Sequence, residues 1–205
     1  MKLNTNSNAY IIIYSAVLVV IVAFLLAFVY TALKPMQDAN VALDVKKQIL
    51  YSLNIRDLDG SAAEAKYAEV VKDEQEQDGQ KTYACQIDGK AIQVVSLKGM
   101  GLWGGISGYL AIDPEGKVYG AYFNHEGETA GLGAEIKDSK AWQDKFIGKT
   151  IYDAAGTPVI KVLKSSEVKN PQSEVDAVTG ATLTSNGVSD MLQDGFKKYN
   201  AALKK

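Results

Sequence analysis

The stretch "DAVTGATLTS", residues 176 to 185, gathers four hydroxyl side chains, a glycine and a carboxylate in a single short segment. The hydroxyls belong to Thr179, Thr182, Thr184 and Ser185, and each can donate or accept a hydrogen bond. Immediately downstream, Val188, Met191, Leu192 and Phe196 recur at helical spacing, so the stretch stands at the N-terminus of an amphipathic helix. A helix N-terminus offers free N–H groups and the positive end of a dipole. A phosphate bound or attached near Thr182 is well placed there, and Gly180 lets a backbone approach it closely. The plainer reading is a glycine turn followed by an N-cap at Thr184 or Ser185. By pattern alone that plainer reading prevails, yet it uses only one of the four hydroxyls.

Two further segments have the composition of binding loops. "GMGLWGG", residues 99 to 105, sets Leu102 and Trp103 among glycines. It reads as a bend between two strands, or as a flexible backbone beside a planar ring suited to a flat aromatic ligand. "HEGETAGLGAE", residues 125 to 135, holds the only histidine, three acids and three glycines. One His with scattered carboxylates makes a weak metal site, so His125 is expected to be exposed or structural. The same loop can still set Thr129 and Leu132 against a ligand. Cys85 alternates with Tyr83 and Ile87 and reads as a small buried hydrophobe. No Ser-His-Asp set, phosphate loop or dinucleotide-binding glycine pattern is visible, so independent hydride or hydrolytic chemistry has no apparatus here.

The elements that must position these segments follow from patterning. From Ala9 to Leu33 the chain carries no charge, and about 20 apolar residues span a bilayer core of roughly 30 Å. Tyr10, Tyr14 and Tyr30 sit near the ends of the run, and Lys34 and Pro35 close it. This reads as an uncleaved membrane anchor over residues 1–34. Lys2 on one side and Lys34, Lys46 and Lys47 on the other lean slightly toward a cytoplasmic C-terminal domain. Residues 35–80 read as a helical connector: Val41, Val45, Ile49 and Leu53 form one face, and Ser61 with Glu64 makes a capping box. The acidic, Gln-rich end and Gly79 read as its solvated exit. Residues 81–205 then alternate as half-buried strands. Asp88-Gly89 marks one hairpin and Pro114-Glu115-Gly116 a second. A short helix at "SKAWQDKF", a strand at "PVIKVL" and the final helix complete an α+β soluble domain, with a largely antiparallel sheet and flanking helices. The net charge of −2 among 205 residues leaves no basic footprint for nucleic acid, and a single Cys excludes an internal disulfide.

Taken in order, the anchor, "NVALDVKKQIL", "GLW…GYLAID", "HEGETAGLG" and "TGATLTS" resemble the C subunits of the sodium-pumping NADH:quinone oxidoreductases over nearly the whole chain. The final motif is the most specific. It matches Asp-x-x-Ser/Thr-Gly-Ala-Thr in Asp176, Thr179, Gly180, Ala181 and Thr182. In that family a dedicated flavin transferase joins FMN to the last Thr through a phosphoester. The resemblance therefore implies covalent FMN on Thr182, with Thr179 in the recognition signal and Leu183 and Thr184 beside it. It also places Leu102, Trp103, Glu128, Thr129, Gly131, Leu132 and Gly133 near the flavin. Ala130 stands where the family has proline, which implies a looser loop. The implied role is an electron relay toward quinone. It implies other integral and peripheral subunits as partners, and a single-pass location in the inner membrane with the soluble domain on the periplasmic side. The related G subunit of Rnf-type complexes is the runner-up. A membrane-anchored scaffold without redox work is the rival from another class.

Overall fold

The computed structural model describes residues 7–203; Lys2 lies outside them. The chain forms two compact units, Met1–Asp44 and Val45–Lys205. The first is helical. Helix α1 runs Asn8–Ser52 and is the one helix among the described residues that is long and apolar enough to cross a bilayer. It does not close at Lys34-Pro35 as the sequence suggests, because Pro35 lies within it. Proline removes one N–H from the ladder, while long helical flanks on both sides carry the remaining bonds. Lys34 pairs with Asp38 one turn on, at 2.8 Å.

The second unit is built on a five-stranded antiparallel meander. Its strands are β1 (Val71–Gln77), β2 (Gln80–Ile87), β3 (Lys90–Met100), β4 (Gly105–Ile112) and β5 (Val118–His125), and they are neighbours in that order. The β2–β3 hairpin turns at Asp88 (φ 49°) and Gly89 (φ 80°), the left-handed pair that a two-residue primed turn requires. Asp78 (φ 52°) and Gly79 (φ 75°) do the same between β1 and β2. The helical reading of residues 35–80 is corrected at this point. Helix α2 (Gly60–Val70) ends at Val70, and "VKDEQEQ" is an edge strand.

Strand alternation sends two apolar sets to opposite faces. Tyr83, Cys85, Ile92 and Val94 lie on one, where Tyr122 meets Tyr51 at 5.2 Å between ring centroids. Val95, Leu97, Ile106, Leu110 and Phe123 lie on the other, in the main core with Val188, Met191, Leu192 and Phe196 of α5 (Thr182–Leu203). Helices α3 (Glu135–Asp138) and α4 (Lys140–Asp144) complete that layer. Phe123 meets Phe146 at 5.0 Å and Trp142 at 5.5 Å, and burying each such ring stabilises the fold by about 1.5–3 kcal/mol. A short parallel pair, β6 (Lys161–Leu163) and β7 (Glu174–Asp176), is the exception to the antiparallel pattern. Backbone pairing through β7 fixes the residue that opens the hydroxyl-rich stretch.

Cys85 is buried as its alternation implies. Burial pushes its thiol up to about 12, and only the thiolate attacks. Alkylating reagents at neutral pH are therefore expected to leave the folded chain unlabelled while the denatured chain labels fully, which intact mass reads directly. The unfolded thiol ionises near pH ~8.5, so this burial contributes its full stability below that pH and loses it as pH rises toward about 12.

Candidate functional site

Helix α5 begins at Thr182, and its first intrahelical bond runs from Ser185 N–H to the Ala181 carbonyl. The N–H groups of Thr182, Leu183 and Thr184 therefore lie ahead of the ladder. Neither Thr184 nor Ser185 is the N-cap, which corrects the plainer expectation. Ser185 is inside the helix, and its Oγ accepts the Val178 N–H at 3.2 Å, tying the preceding turn to it. Thr184 is buried, and its hydroxyl donates to Glu128 Oε2 at 2.5 Å. Two of the four hydroxyls thus serve the scaffold. Thr179 and Thr182 are exposed. The turn between them passes through Gly180 at φ 78°, the left-handed region that glycine enters freely.

Three sequence-distant segments meet at Glu128, which is only 7% exposed. Its Oε1 accepts the backbone N–H of Trp103 at 2.9 Å, and its Oε2 accepts from Thr184. Its own N–H donates to His125 Nδ1 at 3.1 Å, so the imidazole is tied into the loop as an acceptor. Glycine makes the approach possible on both sides. A β-carbon at Gly101 would collide with Oε1, and one at Gly133 would collide with Oε2 and the Thr184 hydroxyl.

Around this buried knot lies an exposed apolar rim. Leu102 and Trp103 (68% exposed) cap the β3–β4 turn, which closes by Gly101 N–H donating to the Gly104 carbonyl at 2.8 Å. Leu132 (42% exposed) lies on the 125–135 loop, with a methyl 2.9 Å from where a Gly180 β-carbon would stand. Leu183 is exposed on the first turn of α5. The 125–135 loop closes on itself, since Leu132 and Ala134 both donate N–H to the Thr129 carbonyl at 3.1 Å. Gly131 takes φ 72° within it. Thr129 and Gly131 are exposed, while Gly133 and Ala181 are buried.

Asp176 is held at the end of β7. Lys145 pairs with its carboxylate at 2.7 Å, and the Trp142 indole N–H donates to its carbonyl at 2.9 Å. Sequence patterning does not reveal Gly101, His125 and Gly187 as parts of this arrangement. Gly187 has a legible signal, since a glycine inside a helical pattern has a packing reason when it is tolerated. Here it lets the Met100 carbonyl lie against α5.

Residues 101–197 match the FMN-binding domain family. The C subunit of the Na(+)-translocating NADH-quinone reductase of Neisseria meningitidis is 38% identical over 157 residues, covering 72% of this chain and 55% of that protein. Its Pseudomonas aeruginosa counterpart is 38% identical over 135 residues, covering 60% of this chain and 51% of that protein. The chain thus spans about half the length of these curated relatives. The crystal structure of the C subunit of the Na(+)-translocating NADH-quinone reductase from Parabacteroides distasonis superposes with a TM-score of 0.77 at 32% identity, covering 84% of this chain and 98% of that one. Shewanella oneidensis NqrC shares the fold at a TM-score of 0.65 and 22% identity, over 78% of this chain and 96% of that one. The chain belongs to the family of Na(+)-translocating NADH-quinone reductase C subunits and contains its FMN-binding domain.

Proposed function

We propose that the chain carries one FMN, esterified through its phosphate to the Thr182 hydroxyl, and serves as an electron relay in a sodium-translocating NADH:quinone oxidoreductase. The observation that carries this reading is the exposed Thr182 at the first position of a 22-residue helix, inside an intact Asp176-to-Thr182 signal. The residues fit the group. The leading N–H groups of α5 and its dipole suit a phosphate. Leu102, Trp103, Leu132 and Leu183 supply exposed apolar and aromatic surface for a flat ring. Gly180, free of a side chain, lets Leu132 lie against the turn that precedes Thr182.

When bound, FMN supplies the redox chemistry. The chain's own part is to attach, orient and partly shield it. Attachment forms one Thr182 Oγ–phosphorus bond and breaks one bond from that phosphorus to the leaving oxygen of the flavin donor, which departs with the hydroxyl proton, so the chain gains the mass of FMN less one water. A fixed cofactor is not lost to a dilute compartment. Asp176, held by Lys145, and exposed Thr179 present the signal to a flavin transferase. Helix α1 anchors the chain as a single pass in the inner membrane, with the flavin domain on the periplasmic side and the other subunits of the complex as partners.

The test is intact-mass analysis of the full chain co-expressed with a flavin transferase, followed by peptide mapping. A single FMN-less-water adduct on the peptide containing Thr182 is expected. An unmodified chain, with the transferase active on a control substrate, would overturn the reading in favour of a membrane-anchored scaffold.

A further inference from the structure

We propose that Glu128 is a positioning residue that sets the spacing between Trp103 and the Thr182 turn, acting through the Trp103 backbone and the Thr184 hydroxyl and without touching the flavin itself. This rests on the functional reading above. Glu128 is buried, and both carboxylate oxygens accept hydrogen bonds from the protein beneath the exposed rim that would receive a ring. Each of its oxygens is committed to a different segment: Oε1 to the β3–β4 turn and Oε2 to the first turn of α5. Thr182 and Thr184 stand on the same turn and point to different sides, Thr182 outward and Thr184 inward. One buried carboxylate therefore fixes, from below, two groups that face the ligand from above. A third connection, Glu128 N–H to His125 Nδ1, fixes the loop that carries Leu132. The glycines at 101 and 133 admit no β-carbon without displacing this carboxylate, which is the mark of a close-fitted junction.

Glutamine at this position keeps the shape, can still accept the Trp103 N–H and can donate to the Thr184 oxygen. Alanine removes both connections. The experiment compares wild type, Glu128→Gln and Glu128→Ala as full-length chains, in two readouts. In the flavin-free protein, Trp103 amide hydrogen exchange is expected to accelerate about tenfold or more in Glu128→Ala, and to stay near wild type in Glu128→Gln. In the flavin-loaded protein, the visible circular dichroism of the flavin is expected to collapse in Glu128→Ala and to be retained in Glu128→Gln, with the mass adduct present in both. Should Glu128→Ala fail to fold, Thr184→Val removes the α5 connection alone and is expected to weaken the same dichroism.

Unchanged Trp103 exchange and unchanged dichroism in Glu128→Ala would overturn the proposal while leaving flavin attachment standing. Loss of dichroism in Glu128→Gln equal to that in Glu128→Ala would also overturn it, because charge rather than positioning would then be responsible. A wild-type chain that takes no flavin would instead sink the functional reading, and the exchange readout would still decide whether Glu128 orders the three segments.

Discussion

Thr182→Val is expected to yield a folded chain with no covalent flavin at all. Valine matches threonine in shape and in β-branching, and the two have similar helix propensity. Thr182 is exposed, so the change in stability should fall within about 0.5 kcal/mol. What disappears is the only atom at that position able to form the phosphoester. Thr184→Val makes the contrast informative. That hydroxyl is buried and donates to Glu128, so its loss leaves a buried carboxylate oxygen short of a donor, at a cost of about 1–3 kcal/mol. The attachment site remains, and the adduct is expected to persist. The two variants thus trade places: one loses the flavin and keeps its melting temperature, the other keeps the flavin and melts lower. Intact mass and thermal melting on the same samples check both. An adduct of unchanged mass in Thr182→Val would move the assignment to Thr179 and refute the role of Thr182.

This contrast also marks what can be read from the sequence. The position of Thr182 at a helix start is legible, because the apolar spacing of Val188, Met191, Leu192 and Phe196 sets the helix and the residues before it are turn formers. The division of labour among the four hydroxyls is not. Capping is a local rule, and it points to Thr184 or Ser185; the actual partners are Glu128, far away in sequence, and Val178. Glu128 itself reads as one acid in a solvated, glycine-rich loop. Only the meeting of three segments shows it to be buried. The fold divides in the same way. Asp88-Gly89 announces its hairpin because apolar residues alternate on both sides. Asp78-Gly79 carries the same turn signal, but β1 is almost entirely exposed, so an edge strand with no buried face leaves no alternation to read. Likewise, Pro35 reads as a helix end because its local effect is unfavourable, whereas the length of α1 on either side outweighs a single lost bond.

Gly187→Ala is expected to destabilise the soluble domain by about 1–3 kcal/mol, against the usual sign for such a change. Inside a helix, glycine to alanine ordinarily gains about 0.5–1 kcal/mol, by restricting the unfolded chain and improving propensity. At this position the added β-carbon would run into the Met100 carbonyl oxygen, with the Met100 carbonyl carbon at 3.1 Å and the Gly101 Cα at 3.3 Å. These are backbone atoms, and they cannot rotate aside. Relief requires the end of β3 to move off α5, and Trp103 lies two residues beyond Gly101. Gly195→Ala on the same helix is the control. Its β-carbon would meet the Leu97 Cδ2 methyl, the far end of a side chain that can shift, so the propensity gain offsets more of the strain and the net change should stay within about 1 kcal/mol. Chemical denaturation of both variants measures the difference. If Gly187→Ala proves as stable as Gly195→Ala, the end of β3 slides freely along α5. The indole of Trp103 would then depend on the Glu128 connection alone for its place beside Thr182.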